Sequence, residues 1–182
     1  MKNIIMGIDP SLCNTGFCVF KSNDKSEILL TGSLTSKNKG IERLIELRNS
    51  LSKILDNNIP DICVIEGYSF GSRGSRVFDI GELCGLYKIT LFEKEIDFLI
   101  VPPKKLKKFA TGNGNANKEK MAVLAFKKHN IEFENNDECD AFWLAKFGEA
   151  YLNKELENLK GIEIIKNGDV NEKCKSSENL HT

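Results

Sequence analysis

Asp9 closes one apolar run, Ile4-Ile5-Met6-Gly7-Ile8, and Glu66 closes another, Ile62-Cys63-Val64-Ile65. A carboxylate at the exit of a buried strand is costly unless a cation or hydrogen-bond donors meet it. Asp9 alone could simply accept backbone hydrogen bonds in the turn through Pro10 and Ser11, the more ordinary reading of a lone acid there. Two such strands can lie side by side, however, and two converging carboxylates must share a proton or bind a cation. A second pair, Asp137 and Asp140, stands three residues apart, so both project from one face at the start of a helix. That spacing is also an ordinary capping and dipole arrangement, and the residues by themselves leave both readings open. Taken as one set, the four acids are hard oxygen ligands without an imidazole, which suits Mg²⁺ or Mn²⁺ and not Zn²⁺. Two such ions about 4 Å apart can ionise a water and steady the leaving oxygen of an in-line attack on a phosphodiester. That is nuclease chemistry.

Other chemistries find less support. His129 and His181 are the only histidines, and the six cysteines (Cys13, Cys18, Cys63, Cys84, Cys139, Cys174) form no C-x-x-C pair. Histidine-centred catalysis, zinc and disulfides are therefore not expected. Four of those cysteines sit in apolar runs, where a reduced thiol behaves as a small hydrophobe. The net charge of zero conceals an uneven distribution: residues 103–129 hold eight lysines against Glu119 alone, whereas residues 130–182 hold six lysines and twelve acids. The lysine block, which includes Lys104, Lys105, Lys107, Lys108, Lys118 and Lys120, could track a phosphate backbone or simply form a solvated helix face.

The elements that must position these residues follow from the hydrophobic pattern. Residues 3–9, 15–21 and 27–34 are β-rich runs separated by turn residues and read as a three-stranded meander. Ile41, Leu44, Ile45, Leu47, Leu51, Ile54 and Leu55 recur at helical spacing, and the cluster Asp56-Asn57-Asn58-Ile59-Pro60 ends that helix. Residues 62–66 form a buried strand. A helix over about 77–95 leads to a further strand, DFLIV, stopped by Pro102 and Pro103. Helices follow at about 104–109, 118–129 and 137–152. The order β-β-β-α-β-α-β-α-α predicts an α/β protein of the ribonuclease H-like fold, a mixed five-stranded sheet flanked by helices. At 182 residues one domain over 1–152 is expected. Residues 153–182 are then a polar tail, carrying a short helix or strand and partly disordered. No run approaches a membrane-spanning length, and the apolar start is interrupted at Asp9 too early for a signal peptide, so an intracellular protein is expected.

With these motifs in place, the chain resembles the RuvC-type Holliday junction resolvases, in a phage- or prophage-like version. GIDPSLCNTGF resembles the family's G-I-D-P-x-x-x-x-T-G opening, VIEGYSF its second acidic strand, GNGNANKEKM its G-x-G-x-A-x-K segment and NDECDAFWLA its closing D-x-x-D-A. The four segments run in order over about residues 4–148. The resemblance implies metal-binding catalytic roles for Asp9, Glu66, Asp137 and Asp140, with two Mg²⁺ per site and Mn²⁺ as a substitute. It places Lys118, and Lys107 or its neighbour Lys108, near the scissile phosphate. It also implies a homodimer acting in the bacterial cytoplasm, with two sites that nick opposite strands of a four-way DNA junction symmetrically. Gly81 and Gly85 match positions at the family's subunit contact, though plain helix packing explains them too.

Tyr68 and Phe70 match the family's aromatic residue that engages the junction, or else pack beneath the following loop. Arg73 and Arg76, with Gly71 and Gly74, make a basic loop suited to phosphate contact. Three competing readings remain. One is a broader branched-DNA or hybrid nuclease of the same fold, and another is a non-catalytic DNA-binding module. The third, an actin-like kinase, needs a duplicated domain.

Overall fold

A computed structural model of the protein describes residues 3–22, 26–67 and 76–167. The elements run β1 (Asn3–Asp9), β2 (Thr15–Ser22), β3 (Glu27–Leu34), α1 (Gly40–Asn58), β4 (Ile62–Glu66) and α2 (Arg76–Glu93). They continue through β5 (Phe98–Val101), α3 (Pro103–Thr111), α4 (Lys118–His129), α5 (Asn136–Leu152) and β6 (Glu163–Ile165). The sheet order is β3-β2-β1-β4-β5-β6. Both β1–β2 and β2–β3 are antiparallel, whereas β1–β4 and β4–β5 are parallel, as the helical crossovers α1 and α2 require.

This is the expected mixed sheet with one addition. The short β6 pairs antiparallel with β5, so the chain past residue 152 contributes a sixth strand. Three residues, two of them isoleucine, are too few to show an alternating pattern. The first helix ends inside the cluster expected to stop it, running to Asn58 before Ile59 turns left-handed and Pro60 follows.

Each face of the sheet carries its own core, divided by strand alternation. Met6 and Ile8 of β1 join Val19, Cys63, Ile65, Phe98 and Ile100 against Leu47, Leu51 and Leu55 of α1 and Leu83, Tyr87 and Leu91 of α2. On the opposite face, Ile5 joins Cys18, Phe20, Val64 and Leu99 against α3, α4 and α5. The helix α5 is buried along most of its length, with Phe142, Leu144, Ala145 and Phe147 in that second core. A hydrogen bond from Trp143 Nε1 to the Met121 carbonyl, 3.2 Å, ties it to α4. Cys18, Cys63, Cys84 and Cys139 are buried free thiols. Among the described residues no helix is long and apolar enough to cross a membrane.

Candidate active site

Parallel pairing of Ile8 with Ile65 brings the next residues, Asp9 and Glu66, out of adjacent strands side by side. Alternation then sets their face. Ile5 on β1 and Ile62 and Val64 on β4 pack toward α5, so Asp9 and Glu66, at even spacing from them, emerge on the α5 side. Two glycines let the helix descend onto this end of the sheet. A Cβ at Gly7 would lie 1.9 Å from the Ala141 carbonyl oxygen, and one at Gly16, the antiparallel partner of Asp9, would lie 2.1 Å from that of Asp137. The first turn of α5 therefore rests directly beside Asp9, and it carries Asp137 and Asp140.

The helix cap is supplied by Asn135, whose side chain accepts the Glu138 backbone N–H. Asp137 and Asp140 are thus released from capping. Lys118, the first residue of α4, bridges them, with its Nζ at 3.2 Å from Asp137 Oδ1 and 3.4 Å from Asp140 Oδ2. Asp137 Oδ2 accepts a 2.9 Å hydrogen bond from the Asn14 side-chain amide. Asp140 Oδ1 is buried and has no hydrogen-bond partner among the described residues.

Excess negative charge dominates the electrostatics. Burial and then the charges of Glu66 and Asp140 hold the Asp9 carboxyl well above its usual range. Burial and the charge of Asp140 push Glu66 up to about 7, while a hydrogen bond from Asp9 and the charges of Lys118 and Lys107 pull the other way. Asp140 is raised by burial, against the opposing pull of Lys118. Burial weakens the Lys118 ammonium, but Asp140, Asp137 and Asp9 outweigh it and its pKa rises. Three acidic side chains thus resist ionisation together, and one lysine is the nearest compensation. Among the described residues no three His, Cys, Asp or Glu side chains are gathered tightly enough, as they stand, to hold an ion. Two of the four acids are instead turned toward the Lys118 ammonium.

Of the other residues singled out in the sequence, Lys107 on α3 is the lysine whose charge reaches Glu66 and Asp140. Its neighbour Lys108 lines a separate groove of about 420 Å³ with Lys105, Phe109, Phe147 and Glu155. Lys105 donates to the Lys160 carbonyl at 2.7 Å. Lys104 lies in the first turn of α3, its carbonyl close against Gly114, and Lys120 lies in the first turn of α4, where its N–H meets the Asn117 cap. None of these four is bonded to the acidic cluster in the described structure. Tyr68, Phe70 and Arg73 lie outside the described residues, as does the side chain of Arg76. Two contributors were not anticipated. Asn14 occupies one of the unspecified positions between Asp9 and Thr15, and the Asn135 cap was masked by acids that suit the same task.

Strand order, with acids at the ends of two adjacent parallel strands and on the last long helix, defines a protein of the ribonuclease H-like class. Solved structures agree on the fold: T. thermophilus RuvC in complex with Holliday junction substrate matches with a TM-score of 0.76 over 90% of this chain and 99% of that one, at 17% identity. The family model for crossover junction endodeoxyribonuclease RuvC matches residues 5–146. A curated relative of that name from Christiangramia forsetii is 29% identical over 71% of this chain and 69% of its own. Another, from Chlamydia caviae, is 28% identical over 80% and 91%. The chain belongs to the RuvC family.

Proposed function

We propose that the chain is a Mg²⁺-dependent endonuclease that resolves four-way DNA junctions by paired symmetric nicks, with Asp9, Glu66, Asp137 and Asp140 holding two ions. One observation carries this reading. Acids from three separate segments meet at one end of the sheet, where Asp9 and Glu66 leave adjacent parallel strands side by side and Asp140 Oδ1 is buried without a donor among the described residues. Such a cluster must keep protons at neutral pH or take up cationic charge, and an all-oxygen donor set fits Mg²⁺ or Mn²⁺. When bound, these ions supply a water ionised near neutral pH and charge stabilisation at the leaving oxygen.

The chain's own residues have distinct tasks. Asp9 and Glu66 give up the protons that burial favours on them and present oxygens from rigid strand ends, while Asp140 offers its unpartnered Oδ1 from α5. Lys118 swings from the carboxylates toward the phosphate, and Lys107 adds positive charge on the same side, where it opposes the charge developing on the phosphoryl oxygens. Lys104, Lys105, Lys108 and Lys120, together with Tyr68, Phe70, Arg73 and Arg76, contact the junction arms and contribute salt-dependent affinity.

Paired nicks need two sites, and α2 suits a second copy of the chain. Phe78, 77% exposed, and Ile89, 53% exposed, flank Gly81 and Gly85 at helical spacing, giving a low apolar stripe. The test is a four-way junction labelled on each strand in turn and incubated with Mg²⁺ beside a linear duplex and a Y-fork. Symmetric nicks confined to the junction are expected. Equal cutting of all three substrates points instead to a general branched-DNA nuclease, and binding without cutting in either Mg²⁺ or Mn²⁺ points to a non-catalytic module.

A further inference from the structure

Asp137 has 26% of its side chain open to solvent, against 9% for Asp140, and it sits on the first turn of a helix. A carboxylate there is free to rotate unless something fixes it. Asn14 fixes it. Its amide donates to Asp137 Oδ2 at 2.9 Å, which leaves Oδ1 turned to Lys118 at 3.2 Å.

The turn that carries Asn14 is itself braced from below. Thr15 Oγ1 donates to the Ser11 carbonyl at 2.7 Å, accepts the Ser11 N–H at 3.0 Å and accepts the Tyr87 hydroxyl at 3.1 Å. That uses the hydroxyl's single donor and both acceptor sites. Thr15 and Tyr87 are fully buried. Ser11 Oγ also accepts the Asn14 N–H at 3.4 Å. Asn14 is therefore anchored through its backbone to the turn that follows Asp9, and through its side chain to Asp137.

We infer that Asn14 is a positioning residue for metal binding: it holds Asp137 in the rotamer that directs Oδ1 into the acidic cluster. A neutral amide suits the task because it donates without cancelling the carboxylate's charge, whereas a lysine would compete with the ion and an acid would repel Asp137. This inference rests on the reading of the four acids as a metal site.

The test compares wild type, Asn14→Leu and Asn14→Gln as full-length chains without DNA. Titration calorimetry measures Mn²⁺ binding, thermal melting measures metal-free stability, and a crystal structure of metal-free Asn14→Leu shows the Asp137 rotamer. Asn14→Leu should weaken Mn²⁺ binding by about tenfold at a nearly unchanged melting temperature, with Asp137 turned away from its wild-type rotamer. Asn14→Gln, which keeps the amide, should recover most of the affinity. In nicking assays the Leu variant should need more Mg²⁺ yet approach the wild-type rate at saturation. Wild-type Mn²⁺ affinity in Asn14→Leu, or an unmoved Asp137 carboxylate, overturns the inference. If wild type itself binds no Mn²⁺, the metal reading fails, and the rotamer in the variant crystal still decides the role of Asn14.

Discussion

Asn135 and Glu138 cap each other at the start of α5: the Glu138 N–H donates to the Asn135 side-chain oxygen at 2.9 Å, and the Asn135 amide donates to Glu138 Oε1 at 2.7 Å. This is a capping-box arrangement in which the returning bond falls on a side chain. It separates two tasks that the sequence Asn135-Asn136-Asp137-Glu138-Cys139-Asp140 mixes together. Asn135 and Glu138 satisfy the helix terminus, and Asp137 and Asp140 are left to the cluster with Asp9 and Glu66.

Opposite outcomes for neighbouring substitutions follow. Asn135→Ala should cost about 1 kcal/mol in chemical denaturation. Asp137→Asn should leave stability within about 0.5 kcal/mol yet lose nicking. If Asp137 were the cap, the stability loss would fall on it instead.

The raised carboxyls of Asp9 and Glu66 give metal-free stability a definite pH dependence. The folded chain holds protons that the unfolded chain releases, so this contribution is complete below the ordinary glutamate value of 4.5 and is lost as pH rises through about 7. Melting in a chelator should therefore show a higher midpoint at pH 5.5 than at pH 8, and Mg²⁺ should raise the midpoint most at pH 8. Glu66→Gln removes the repulsion, so it should stabilise the metal-free chain by on the order of 1 kcal/mol while abolishing nicking. A flat chelator profile from pH 5.5 to 8 contradicts this.

Lysines on adjacent turns should separate by function. Lys118→Ala and Lys107→Ala should reduce the single-turnover nicking rate by about 100-fold or more. Lys108→Ala, whose side chain lines a groove away from the acids, should change chiefly the salt dependence of junction binding. Equal rate losses at Lys107 and Lys108 would contradict the assignment.

Sedimentation should find the wild-type chain dimeric and Ile89→Glu monomeric at micromolar concentration, since a charge at the apolar end of the α2 stripe would have to be buried in the contact. A dimer that survives the substitution places the subunit contact elsewhere.

Much of this was legible in the sequence for physical reasons. Apolar runs that end in an acid, such as Ile62-Cys63-Val64-Ile65-Glu66, declare a buried strand and its exit in the same five residues. The three-residue spacing of Asp137 and Asp140 fixes a shared helix face whatever they do there. Whether they cap the helix was not legible, because helix capping and metal binding ask for the same residue types, and only the position of Asn135 in space shows that the cap lies elsewhere. Asn14 was hidden for a different reason: its partner Asp137 lies at the far end of the chain, and no local pattern encodes a tertiary hydrogen bond. Which lysine of α3 has its charge near the acids was equally ambiguous, since Lys107 and Lys108 are adjacent and only the rotation of α3 distinguishes them. The last strand, Glu163-Ile164-Ile165, was expected only as a short helix or strand, because its stability comes from pairing with β5 and not from its own pattern.

The most direct test is anomalous diffraction from a crystal of the chain soaked in Mn²⁺. Two peaks about 4 Å apart, liganded by Asp9, Glu66, Asp137 and Asp140, with Lys118 displaced from its two aspartates, is the result expected here. Mn²⁺ absent from the cluster at millimolar concentration, or bound only outside it, would contradict the assignment of these four carboxylates as the metal site.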